Sequence, residues 1–146
     1  MSFSEDIAKF VQKAKGNGDL LVRKTVLDIG TRLVEKTPVG DATYWQSKPP
    51  AGYVGGHARG NWSHSVGQLK TKEFDTIDPS GAASNSRILS SVPAKAAGKV
   101  HFVQNSVPYI IPLENGHSRQ APFGMVGTTK VEFQGIVNAI AGGLNK

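Results

Sequence analysis

The segment NSVPYIIPLENGHSRQAPFGMV, Asn105 to Val126, decides how this chain is read. It interleaves Gly, Pro, aromatic and charged residues in an order that neither an amphipathic helix nor an alternating strand requires. Tyr109 to Asn115 suits a short helix, because Pro112 falls in the first turn, where its missing amide hydrogen costs little. Gly116 can adopt the left-handed conformation that stops it. Gly124 to Thr128 predicts a further strand. A second segment of the same character is HARGNW, His57 to Trp62.

Outward from these segments, regular periodicities return. Phe133, Ile136, Val137, Ile140 and Leu144 form an apolar stripe at helical spacing, with Thr129 and Glu132 as a capping box at its start. At the other end Phe3, Ile7, Phe10, Val11 and Ala14 recur at the same spacing, with Ser2 and Glu5 as a second capping box. Gly16-Asn17-Gly18 is expected to bend or end that helix. Asp19 would then cap a second stretch, in which Val22, Val26, Ile29 and Leu33 share a face, ending before Pro38.

Between the terminal helices, Asn61 to Gln68 and Lys99 to Asn105 are expected as strands, the second because Val100 and Phe102 alternate with Lys99 and His101. Asp78-Pro79-Ser80-Gly81 reads as a turn and Ala82 to Ser91 as a short helix. Residues 37–60 hold Pro38, Pro49, Pro50, several glycines and the aromatics Tyr44, Trp45 and Tyr53. That composition breaks regular structure while offering large contact surfaces. The expected fold is α+β: one domain over 1–146, with a helical arm at about 3–36, a long loop at about 37–60, and sheet and helices at about 61–146. A small antiparallel sheet would be packed by the N-terminal arm and the C-terminal helix.

The length of 146 residues suits one core. No run of about 18 apolar residues is present to span a membrane, and the N-terminus lacks the pattern of a signal peptide, so assembly in a cytoplasm is expected. The absence of cysteine excludes disulfides, thiolate catalysis and Cys-based zinc sites. A formal charge of +6 permits contact with a polyanion. The basic residues are dispersed, except that residues 36–72 carry Lys36, Lys48, Arg59, Lys70 and Lys72 against Asp41 alone. Of these, Lys48, Arg59, Lys70 and Lys72 are the expected DNA-facing set, against the plainer reading of a solvated basic loop.

No complete catalytic constellation stands out. His57, His64, His101 and His117 form no HxH or HxxxH pair, and His64 and His101 are expected on strand faces. Glu114, His117 and Ser118 crowd one short loop, where neighbouring side chains rarely reach relay geometry. The glycine-rich stretches lack the strand-to-helix setting of a phosphate cradle. No catalytic residue, cofactor or metal ligand is assigned. Trp62 reads as a core or interface anchor before a base-stacking platform.

With these residues in place, the chain resembles the tail-completion, or neck, proteins of long-tailed bacteriophages, small proteins that join head to tail. The matching pattern runs from VRKTVLDIGTRLVEKTPV, through RGNW and the strand VHFVQN, to SVPYIIPLENGHSRQAPFGMV and a terminal helix. It covers nearly the whole chain, and LENGHSRQAPFGMV after a Tyr is its most specific part. Where relatives run TPV quickly into RxNW, this chain inserts Gly40 to Gly56.

The resemblance implies a non-enzymatic virion component at the neck or tail junction. It implies neighbouring connector and tail proteins as partners, and self-association into a hexameric or dodecameric ring around the DNA channel. Its motif and expected interface residues are Arg59, Asn61, Trp62, Tyr109, Leu113, Glu114, Gly116, Ser118, Arg119, Gln120, Ala121, Pro122, Gly124 and Met125. Tyr44, Trp45 and Tyr53 are expected to form a docking loop. The runner-up is a nonspecific DNA-binding accessory protein, and a distant third is a hydrolase using Ser118 and His117.

Overall fold

The computed structural model describes residues 3–40, 55–116, 118 and 120–144. The expected docking loop with Tyr44, Trp45 and Tyr53 lies outside them, as do His117, Arg119 and the expected DNA-facing Lys48, Ser2 of the Ser2–Glu5 capping box, and the side chains of the Phe3–Ala14 stripe. The elements are α1 (Phe3–Lys36), a single 3-10 turn (Arg59–Asn61), β1 (Trp62–Val66), α2 (Ala82–Ser91), β2 (His101–Asn105), α3 (Ile110–Glu114) and α4 (Val126–Leu144). The fold is a small α+β arrangement in which a long N-terminal helix and a C-terminal helix pack with a two-stranded antiparallel sheet.

The helix α1 continues through Gly16-Asn17-Gly18, where a bend or end was expected. Two glycines and an asparagine lower helix propensity by about 1 kcal/mol or less each, which a long flanking helix can absorb. Asp19 caps nothing. Its carboxylate accepts the amide of Ala97 at 3.0 Å and docks the turn after α2 onto α1. Farther along, Val22, Val26, Ile29 and Leu33 face the core as their spacing predicts. Gly30 permits close packing against α2: a Cβ there would meet Ile88 Cδ1 at 3.0 Å.

The strands pair with Trp62 opposite Asn105, His64 opposite Val103 and Val66 opposite His101, so these six share one face. Ser63, Ser65, Phe102 and Gln104 occupy the other. The expected alternation of strand β2 is inverted, since Val100 is exposed while His101 turns inward to hydrogen-bond partners. The polar face is buried too. Gln104 Nε2 donates to the hydroxyls of Ser63 and Ser65, and its Oε1 accepts the Lys70 amide. Residues 68–78 thereby run back along β1, held by side-chain amides rather than by a strand ladder.

The core comprises Val26, Leu33, Val34, Trp62, Ile88, Val92, Ala121 and Met125. α4 packs on α1 along Thr129, Glu132 and Ile136, which are spaced to share a helix face. Phe133, expected in the apolar stripe, sits one position off that line and is exposed. The Thr129–Glu132 capping box does not form either. Thr129 lies in the first turn and donates its hydroxyl to the Met125 carbonyl, while Glu132 pairs with Arg32 and Lys36 of α1. Those hydrogen bonds from Lys36 and Arg32 hold the Glu132 carboxyl below the usual carboxylate range. The strand expected at Gly124 to Thr128 is instead the entry to α4, because its amides find a carboxylate rather than a neighbouring strand.

Candidate interaction surface

Three separated sequence segments converge at the C-terminal end of α1. The last carbonyls of a helix have no intrahelical donor and need one from elsewhere. Arg59 supplies it: Nε donates to the Thr37 carbonyl (3.0 Å), Nη2 to Glu35 (3.1 Å) and Nη1 to Pro79 (2.7 Å). Three of its five donors are thus bound within the fold, so Arg59, expected to face DNA, serves here as a helix brace.

Thr37, fully buried, accepts the Trp62 indole N–H at 2.7 Å and donates to the Leu33 carbonyl at 2.5 Å. Gln120 clamps the same corner, donating Nε2 to the Val39 carbonyl (2.8 Å) and accepting the Val39 amide on Oε1 (3.2 Å). Asn61 is buried and ties residues 68–78 down. It donates to the carbonyls of His57 (2.6 Å) and Phe74 (3.0 Å) and accepts the Phe74 amide (2.6 Å). The RGNW and TPV motifs are therefore two halves of one joint. Arg87 of α2 completes it, donating to the Gly60 and Trp62 carbonyls while its guanidinium lies 3.9 Å from the Phe74 ring centre.

The LENG motif makes a second joint. Glu114, at the end of α3, accepts the amides of Met125 (2.8 Å), Val126 (2.9 Å) and Gly127 (2.8 Å), capping α4 from outside its own sequence. Burial would push the Glu114 carboxyl up, but the three amides outweigh it and hold the group below the usual carboxylate range. The loop closes because Gly116 and Gly124 have φ of +83° and +77°. A Cβ on Gly124 would stand 2.3 Å from the Glu114 carbonyl oxygen.

Several residues expected at an interface are interior supports instead. Met125, Ala121 and Gly124 are buried, and Leu113 packs against the core, because together they seat the elbow between α3 and α4. Ser118 accepts the Gln120 amide. Glu114 is committed to the helix cap, which leaves the Ser118–His117 relay without its obvious acid.

The elbow presents a group of apolar side chains outward. Phe123 is 81% exposed, Ile111 65%, Val126 48% and Tyr109 44%, with Pro122 exposed beside them. Phe123, Ile111 and Val126 were not singled out by sequence. The available signal was a bulky apolar residue in a Pro-Phe-Gly turn, where no regular element would bury it.

Lys70 and Lys72 are exposed as expected, and neither forms an ion pair among the described residues. Lys72 Nζ lies 5.1 Å from the Phe74 ring centre. Comparison with known protein families, with characterised proteins and with solved structures finds no match to this chain.

Proposed function

We propose that the chain is a structural joining protein of the tail-completion, or neck, class of tailed bacteriophages, acting within a virion as one subunit of a ring. The observation that carries this reading is the elbow between α3 and α4, in which Glu114 and two left-handed glycines hold a loop that exposes Phe123 and Ile111. Exposed apolar side chains clustered on a braced loop suit a protein–protein contact, because covering them removes apolar surface from water. Neighbouring connector and tail proteins, or a second copy of the chain, are the occupants this reading assigns. A ring needs complementary patches on two faces of each subunit, and the elbow supplies one.

The test is a double substitution, Ile111→Asp with Phe123→Asp. Both side chains are exposed, so stability should change by no more than about 0.5 kcal/mol per site. Head–tail joining in a complementation assay should be lost. Normal joining by a folded double variant would remove the elbow from the interface.

Exposed Lys70 and Lys72 support a second reading, nonspecific contact with DNA phosphates. Neutralising both, as Lys70→Gln with Lys72→Gln, should reduce the slope of log affinity against log salt by about two. An unchanged slope would place any DNA contact elsewhere.

A further inference from the structure

Two imidazoles, one from each strand, meet on the core-facing side of the sheet. His64 Nε2 lies 2.9 Å from His101 Nδ1, and the rings stack with centroids 5.2 Å apart and planes 25° from parallel. Contacts continue at both ends. His64 Nδ1 is 2.8 Å from Ser91 Oγ at the end of α2, and His101 Nε2 is 2.7 Å from the Ala96 carbonyl. Ser91 Oγ also lies 2.8 Å from the His64 carbonyl.

The hydrogens can be counted. A carbonyl only accepts, so His101 Nε2 carries a hydrogen in every state. With both rings neutral, His64 Nε2–H donates to His101 Nδ1, and the Ser91 hydroxyl donates to His64 Nδ1. The contact between Ser91 and the His64 carbonyl then has no hydrogen. One added proton reverses the chain: it is taken up at His64 Nδ1 while the His64 Nε2 hydrogen passes to His101 Nδ1, so that His101 donates to His64 Nε2, His64 Nδ1–H to Ser91 Oγ, and Ser91 to the His64 carbonyl. Every contact now has one hydrogen. A second proton sets N–H against N–H across the 2.9 Å gap and places two positive charges on stacked rings.

We propose that His64 and His101 form an acid-operated latch, which holds with no proton or one added proton and opens with the second, parting the strands at the Val66–His101 end. That end is closed by the Val66–His101 pair and the bond from the Gly67 amide to the Val100 carbonyl (2.8 Å). The charged groups on the surrounding elements include Asp19 and Arg23 on α1, Arg87 on α2, and Lys95 and Lys99 in the connection to β2. Asp19 accepts the Ala97 amide, Arg87 donates to the Gly60 and Trp62 carbonyls, and none of the five hydrogen-bonds either ring among the described residues.

Burial, and then the nearby His101, lower the affinity of His64 for a proton below that of an ordinary imidazole. The sign follows. Above about pH 6.5 both folded and unfolded His64 are neutral and the latch is intact; as pH falls below that value the unfolded chain binds the proton first, and stability is lost.

Hydrogen exchange of the Gly67 amide, corrected for intrinsic rate, should accelerate at least tenfold between pH 7 and pH 5. The Gly60 amide, bonded at the opposite end of β1, should not follow. In His64→Gln, which cannot take up the proton, the acid step should vanish. An acid step of equal size in that variant would overturn the latch. Should the variant fail to fold, nitrogen spectra of wild-type His64 decide: proton uptake at a pH below that of an ordinary imidazole is expected, and uptake at the ordinary value would overturn it.

Discussion

Trp62→Ala should destabilise the protein by about 3–5 kcal/mol, the range for removing a buried aromatic side chain. Trp62 is buried among α1, α2 and the sheet, and its loss leaves a cavity at the centre of the core cluster. It also removes the donor to the hydroxyl of the fully buried Thr37, which then keeps its own bond to the Leu33 carbonyl. For a domain whose total stability is about 5–15 kcal/mol, this is a large share. The midpoint of thermal unfolding should fall by on the order of 10 °C. Trp62→Phe separates the two contributions, because it keeps most of the ring volume and loses only the N–H; about 1–2 kcal/mol is expected. Denaturant unfolding of the two variants checks both values. Equal losses would mean that the indole–Thr37 hydrogen bond, rather than packing, joins the TPV and RGNW segments.

Glu114→Ala should cost about 2–3 kcal/mol, more than an ordinary helix cap, because one carboxylate accepts three amides at the start of α4. Glu114→Gln should cost less, keeping an acceptor oxygen without the charge that favours a helix N-terminus. The cap also confers a pH dependence. Since the folded carboxyl lies below its ordinary value of 4.5, its contribution is complete above that pH and is lost as the pH falls through the folded value. In Glu114→Gln this part of the acid dependence should disappear. The variant should also loosen the elbow that presents Phe123, so a joining defect is expected even where α4 remains helical by circular dichroism.

Much of the secondary structure was legible because local chemistry and tertiary demand agree. The span of α2 from Ala82 to Ser91, the stop at Gly116 and the core face through Val22, Val26, Ile29 and Leu33 all follow from spacing and turn residues. Elements whose partners lie far along the chain were harder. The cap of α4 comes from Glu114, eleven residues before Met125, so the local Thr129–Glu132 pattern marked the wrong helix start. Glu132 instead meets Arg32 and Lys36, about a hundred residues away, and no sequence window contains that pairing.

The motif residues were legible as special but not as what they are. Trp62 is the core anchor its setting suggested, whereas Arg59, Asn61, Gln120 and Met125 hold segments together where an interface was expected, and the exposed Phe123, Ile111 and Val126 are side chains that no periodicity marks. Glycine at 124 is explained in the same terms, since its backbone conformation and the approach of Glu114 both exclude a side chain.

The most direct test of the joining role is electron microscopy of lysates made with an early stop codon in this gene. The proposal predicts DNA-filled heads accumulating apart from finished tails, with whole particles restored by the wild-type chain supplied in trans. Intact particles of normal appearance, infectious or not, would contradict it.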